Sequence, residues 1–482
     1  MKHSLAIPAA AIRTHLAELN PWWVAGGTVD ADLKDWPRRA YFAGFLRLVR
    51  ESAVRRAVVV IGPRRVGKTV MLMQAIQSLL DAGVTGTQIL YAQLDGPMLA
   101  GESLDSLVKL FTETHQHRTD RPLWIFFDEI QYLKDWEVHL KVLVDQYKHI
   151  RFVATGSAAA ALRMKSRESG AGRFSDFVLP PLTFAEYLDF CEQSNLIEEV
   201  PGIDDGARLE FRAPNIDKLN AEFVNYLNYG GFPEAVMSKA VRENPRRYLR
   251  QDIVDKVLQK DLPSLFGISN TQELNRFFNV LAFNTGNEVS PKALCDSTGL
   301  DHQRLGEYME YLEAAYLIKR VYRIDSSARR LKRVTTYKVY LTNPSMRAAL
   351  FARVRSDDEA MGRLAETAIW SQWLHSTSIV QQLHYARWKE GRTDREVDLV
   401  GVNPSTQKPW FAVEIKWSDR CYSDWSELRG IRELAAKNKL ARPPVVATKT
   451  VSGIVNIEGQ PFQFTPCSLH CYTVARNLLA QT

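Results

Sequence analysis

Val58-Val59-Val60-Ile61-Gly62-Pro63-Arg64-Arg65-Val66-Gly67-Lys68-Thr69 is the stretch on which the fold turns. Four β-branched residues read as a buried strand, the glycine-bounded segment as a loop, and the apolar run behind it (Val70, Leu72, Met73, Ile76, Leu79, Leu80) as a helix. The spacing Gly62-x-x-x-x-Gly67-Lys68-Thr69 is the P-loop pattern, and each position has a physical task. Glycines let successive N–H groups turn toward phosphate oxygens, and the positive end of a helix starting near Lys68 reinforces them. Gly62, Pro63, Arg64, Arg65, Val66 and Gly67 are therefore expected to cradle a nucleotide. Lys68 is expected to reach the β- and γ-phosphates and Thr69 to offer its hydroxyl to a metal, which makes ATP and Mg²⁺ the implied cofactors.

A second apolar run, Leu123-Trp124-Ile125-Phe126-Phe127, ends in Asp128-Glu129, the Walker B pattern. Asp128 is placed to hold a Mg²⁺-bound water, and Glu129 to polarise the water that attacks phosphorus, which tilts the reading from binding toward hydrolysis. The strand Ile150 to Ala154 runs into Thr155-Gly156-Ser157, whose hydroxyls are candidate γ-phosphate sensors. Arg173, after Gly170-Ala171-Gly172, is a candidate arginine finger, in cis or on a neighbouring subunit. Strands alternating with helices predict a parallel α/β sheet with phosphates at the strand C-termini.

The chain has 482 residues, a net charge of +7 and five cysteines with no Cys-x-x-Cys pair, which excludes a disulfide framework and fits a reducing cytoplasm. Cys467, His470 and Cys471 lack a second ligand pair and read as buried groups, not a metal clip. No apolar run reaches the ~20 residues that a bilayer span needs. The Leu5 to Ile12 stretch contains Pro8 and is followed by Arg13, so no membrane span or secretory signal is expected.

Together Gly62–Thr69, Phe126-Phe127-Asp128-Glu129-Ile130-Gln131, Thr155-Gly156-Ser157, Gly170–Arg173, Leu179–Tyr187 and Gly230-Gly231-Phe232-Pro233-Glu234 resemble the prokaryotic AAA-type ATP-binding proteins with a winged-helix and a C-terminal nuclease-like domain. The resemblance runs from about residue 40 to 420, with a variable insertion near Leu196 to Ala213. It implies that Gly231 and Pro233, in a helical lid, lie against the nucleotide base. Fold-level association, and not the resemblance itself, adds genome defence or mobile-element control as an expected setting.

Downstream, Ser290-Pro291 opens one helix and His302 to Ala314 forms a second, while Tyr316–Ile324 and Tyr337–Leu341 make a strand pair. Helix, turn, helix and wing describe a winged helix, and Lys319, Arg320, Arg323, Arg329, Arg330, Lys332, Arg333 and Lys338 against Asp325 make the wing basic. DNA is the expected partner; a protein partner and self-association are left open. Arg246, Arg247 and Arg250 are spaced for a further basic face. In the last segment a helical Glu366, Asp398 entering a strand, and Glu414-x-Lys416 on the next form the PD-(D/E)XK constellation, which the resemblance also implies. Glu366, Asp398 and Glu414 are expected to hold Mg²⁺, and Lys416 to orient the attacking water. The expected order is a helical lead-in (1–56), an AAA-type P-loop core (57–178), a helical lid (179–265), a winged helix (266–355) and an α/β restriction-endonuclease-like domain (356–482).

Overall fold

Five parallel strands organise the N-terminal part of the chain: β1 (Ala57–Ile61), β2 (Ile89–Gln93), β3 (Leu123–Asp128), β4 (Ile150–Gly156) and β5 (Phe174–Val178). Their order is β2-β3-β4-β1-β5, so the P-loop strand lies inside the sheet and is buried along its whole length. The computed structural model describes residues 7–481 apart from 52, 100, 157–171, 202–207, 328, 330–335 and 441. It divides into two units, Met1–Leu179 and Pro180–Thr482.

The edge strand β2 is covered by the N-terminal segment. The Asn20 side chain donates to the Tyr91 carbonyl at 2.8 Å and accepts from the Tyr91 N–H at 2.7 Å, imitating one residue of a further strand. The indole N–H groups of Trp22 and Trp23 both donate to the Ile89 carbonyl. Satisfying these edge groups removes a template for unwanted strand pairing.

In the second unit, a small antiparallel pair, β6 (Glu198–Val200) and β7 (Glu210–Arg212), is followed by β8 (Glu288–Val289), β9 (Ile318–Ile324), β10 (Tyr337–Leu341), β11 (Leu383–Glu390), β12 (Thr393–Val402), β13 (Pro409–Ile415), β14 (Val445–Thr448), β15 (Gly453–Ile457) and β16 (Gln460–Pro466). The last nine form one sheet in the order β15-β16-β14-β13-β12-β11-β9-β10-β8. The strand pair expected as a free wing, β9 and β10, is therefore continuous with the C-terminal sheet. The join is the parallel pairing of Tyr385 with Arg323 and Ala386 with Ile324.

The same merging occurs in the core. Phe184, Phe223 and Tyr226, from helices expected in the lid, share a hydrophobic cluster with Trp370, Tyr385, Phe411 and Tyr472. The Phe184 N–H donates to the Gln372 side chain at 2.9 Å, closing a contact across 188 residues of sequence. Within the segment expected as the lid, the chain is π-wound over Arg250–Asp255 and Val257–Asp261.

Candidate nucleotide site and a buried carboxylate cluster

The loop after β1 is shaped by close backbone approach. A Cβ on Gly62 would lie 2.2 Å from the Leu179 carbonyl oxygen, whose own N–H donates to the Ile61 carbonyl, so only glycine fits there. Arg65 and Gly67 adopt left-handed backbone, with φ of 63° and 95°, which curls the loop before the helix Lys68–Asp81 begins. The buried Lys68 ammonium donates to the carbonyls of Gly62 at 3.1 Å and Pro63 at 2.7 Å, which holds it inside the loop. Arg39 donates to the Val66 carbonyl at 2.7 Å and braces the loop from behind.

Thr69 and Asp128 meet as the P-loop pattern requires, the Thr69 hydroxyl donating to Asp128 Oδ2 at 2.8 Å. Tyr91 OH donates to the same oxygen at 2.8 Å. Thr155, fully buried, donates its hydroxyl to Asp128 Oδ1 and accepts from the Glu129 N–H at 3.0 Å. Its hydroxyl thus braces the two acids, between the P-loop strand and β3, where the sequence reading expects a γ-phosphate sensor; Ser157 lies outside the described residues. Burial, and then the charge of Glu129, push the Asp128 carboxyl above the usual carboxylate range against these three donors. Glu129 itself takes a left-handed backbone, φ 57°, and the Gln131 amide donates to its carboxylate.

Arg173 is not at this site. It precedes β5, its carbonyl accepts from the Ala57 N–H, and its guanidinium pairs with Asp145. In a parallel sheet that is the N-terminal edge, about 13 Å of strand from the P-loop at about 3.3 Å per residue. This placement is at the sheet edge opposite the one from which the P-loop emerges.

Gly231 and Pro233 belong to the second unit. The Gly231 carbonyl accepts from the Leu182 N–H at 2.8 Å, and a Cβ there would strike the Asn343 side chain at 2.2 Å. Pro233, buried, opens the short helix Pro233–Met237.

The C-terminal acids are arranged differently from the expectation. Glu366, on the helix Met361–Trp373, accepts at Oε1 from Lys338 Nζ at 2.7 Å and from Tyr340 OH at 2.6 Å. Asp398 Oδ2 accepts from the Ile415 N–H at 2.8 Å, while Oδ1 lies 3.5 Å from Lys338 Nζ. Glu414 pairs instead with Lys416 at 2.7 Å, and its Oε2 is buried without a hydrogen-bond partner among the described residues. Burial first, and Asp398 second, raise the Glu414 carboxyl well above the usual range; burial pushes Glu366 up to about 7 despite Lys338. Among the described residues no group of three His, Cys, Asp or Glu could hold a metal ion. The expectation that Glu366, Asp398 and Glu414 form a metal site is therefore corrected: an ammonium lies among the carboxylates.

Three of the described basic residues of the wing are engaged within the fold or buried. Arg320 pairs with Glu313, Arg323 with Glu288, and Lys338 is buried. Arg330, Lys332 and Arg333 lie outside the described residues.

Lys338, Tyr340 and Glu396, whose Oε1 lies 2.8 Å from Lys338 Nζ, are the site residues that sequence reading missed, with Tyr91 and Arg39 in the first unit. A signal existed for two pairs. Lys338 and Tyr340, like Glu396 and Asp398, are two apart on a strand and share a face.

A P-loop lysine held inside its loop, a Thr–Asp pair across β1 and β3, and the strand order define an AAA-type P-loop ATPase domain in the first unit. Residues 54–188 match the family described as an AAA domain, and residues 220–358 match a domain of unknown function, DUF8612. The chain is 26% identical over 321 residues to the uncharacterized protein MJ1544 of Methanocaldococcus jannaschii, covering 65% of each chain. It is 25% identical over 276 residues to an uncharacterized protein of Haemophilus influenzae, covering 55% of this chain and 62% of that one. The chain thus spans less than two thirds of the length of these two relatives. Among solved structures it is similar to the Walker-type ATPase PABY2304 of Pyrococcus abyssi, with 15% identity, a TM-score of 0.42, and coverage of 68% of this chain and 99% of that one. No helix among the described residues is long and apolar enough to cross a membrane.

Proposed function

We propose that this chain is a Mg²⁺-dependent ATP hydrolase whose nucleotide state controls a DNA-contacting module in its second unit. The observation that carries the first half is the hydroxyl–carboxylate pair of Thr69 and Asp128 beside Lys68. This donor set fits Mg²⁺, since a buried carboxylate and a hydroxyl are hard oxygen ligands that leave room for water and phosphate. When bound, the ion would be held by Thr69 and Asp128 and would draw charge from the phosphates. Lys68 neutralises phosphate oxygens, the loop N–H groups orient them, and Glu129 takes the proton of the attacking water.

DNA contact finds its support away from the wing. Arg246, Arg247 and Arg250 line a surface cavity of about 450 Å³ with Asn244, Gln251 and Asp255, beside the π-wound turn. Such a cavity suits phosphate oxygens, because arginine donates in a fixed fork. A second reading, a regulatory switch that cuts nothing, is favoured by Lys338 among the carboxylates. The experiment is ATP turnover by the full chain with and without duplex DNA. Turnover abolished by Lys68→Ala supports the first half. DNA binding that weakens with salt and is lost in an Arg246→Ala, Arg247→Ala, Arg250→Ala triple variant supports the second, and unchanged DNA binding in that variant rejects it.

A further inference from the structure

Four helices of the second unit border a cavity of about 370 Å³ that the proposed activity does not use. Tyr187 and Phe190 line it from the helix Phe184–Phe190. Glu222, Asn225 and Tyr229 line it from Ile216–Tyr229, where residues three and seven positions apart share one helix face. Val236 and Met237 come from Pro233–Met237, and Arg242 from Lys239–Glu243. The size falls at the lower end of small-molecule sites, which run to about 300–1,000 Å³.

An acid and a base face this cavity without meeting. Tyr187 OH donates to Glu222 Oε2 at 2.7 Å and the Asn225 amide donates to the same oxygen at 3.4 Å, so Oε1 accepts no hydrogen bond among the described residues. The Arg242 guanidinium has no ion-pair or hydrogen-bond partner among the described residues, Glu222 included. Both charges nevertheless act on the same two groups. Burial raises the Cys191 thiol and the Tyr229 phenol above their usual ranges; Glu222 adds to each rise and Arg242 opposes it. Cys191 therefore lines the cavity as a neutral thiol, which suits binding and not covalent chemistry.

Opposite charges held apart over one cavity are complementary to a ligand that carries both. A carboxylate takes an ammonium, and a guanidinium takes a carboxylate in a two-pronged fork. The Tyr187 and Tyr229 rings, with centroids 6.2 Å apart and planes inclined at 63°, make an aromatic corner beside Glu222 that favours a cation over a neutral group. We propose that this cavity binds a free α-amino acid with an apolar or aromatic side chain, its ammonium on Glu222, its carboxylate on Arg242 and its side chain against Phe190, Val236 and Met237. The end residue of a peptide keeps only one of the two α-groups, so the paired requirement selects the free amino acid. This site goes beyond the ATPase reading and does not depend on it.

The test is isothermal titration calorimetry on the full chain without nucleotide, with L-phenylalanine, L-methionine and L-leucine as probes. At least one is expected to bind saturably, with Kd on the order of 100 μM. Phenethylamine and phenylpropionate, each lacking one charge of L-phenylalanine, are expected to bind about tenfold more weakly or worse than the parent, as loss of a charged hydrogen bond dictates. Glu222→Gln and Arg242→Met are expected to weaken the amino acid by about tenfold or more for the same reason. No saturable binding of any of the three probes below about 10 mM overturns the proposal. So does affinity unchanged in both folded variants, or phenethylamine matching the tightest amino acid. Should a variant not fold by circular dichroism, the analogue series on the wild type decides alone. Because no nucleotide is present, a failed ATPase assay leaves these titrations unaffected.

Discussion

The Thr69 hydroxyl donates to Asp128 across 2.8 Å, tying the first turn of the P-loop helix to the last residue of β3. Tyr91 and Thr155 add donors from the neighbouring strands β2 and β4, so the geometry of Asp128 is set by three hydroxyls. Asp128→Asn, which loses the charge, is expected to abolish ATP turnover. Tyr91→Phe deletes one neutral donor and should slow turnover roughly five- to tenfold, in line with about 1 kcal/mol for a buried hydrogen bond. Steady-state phosphate release measures both, and full activity in Tyr91→Phe would show that Asp128 is held adequately without it.

Glu129 has its backbone in the left-handed region, which is uncommon for a residue with a Cβ and costs about 1 kcal/mol. The turn swings its carboxylate away from the strand direction, where Gln131 steadies it. Glu129→Gln keeps the shape and removes the base. ATP hydrolysis is expected to fall by about a hundredfold or more while affinity for a fluorescent ATP analogue is retained, as loss of a general base dictates. A parallel loss of binding and turnover would place Glu129 in binding instead.

For Arg173 the expected result is the absence of an effect on the single chain. Its guanidinium pairs with Asp145 at the N-terminal edge of the sheet, and both side chains are more than two fifths exposed. Arg173→Ala should leave turnover at low protein concentration within about twofold and alter stability by less than about 1 kcal/mol, the usual range for exposed pairs. A collapse of activity that deepens with protein concentration would mark a finger supplied in trans.

The contrast between Arg173 and Lys68 shows what local sequence carries. Strand β1, the helix start at Lys68 and the end of β3 at Asp128 fall where the motif places them, because a P-loop needs strand, turn and helix within twelve residues of chain. Strand β10 was equally legible, Tyr337 to Leu341 in both readings. Its lysine was not. Lys338 counted as one more positive charge in a basic strip, since the acids that claim it lie 28 and 60 residues further on. The two residue pairs that fuse β9 to β11 leave no local trace for the same reason. The π-wound turns at Arg250–Asp255 had no sequence signal either, because a change of helical winding alters no side-chain class.

His470 provides a pH dependence that can be worked through. Burial first, and Arg208 second, hold its imidazole down to about 4, and its Nε2 is buried without a hydrogen-bond partner among the described residues. An unfolded histidine titrates near 6.5. Between those values the unfolded chain binds more protons than the folded one, so stability rises with pH across the window. The contribution is complete above about pH 6.5 and is lost progressively as pH falls toward 4. At about 1.4 kcal/mol per unit of pH, His470 accounts for up to about 3 kcal/mol. Because Nε2 makes no hydrogen bond among the described residues, His470→Phe strands no partner of that nitrogen there. Urea unfolding at pH 7 and pH 4.5 should show wild type losing roughly 2–3 kcal/mol more than His470→Phe over that interval. Equal losses in the two proteins would mean that His470 protonates without cost, and that its surroundings admit water.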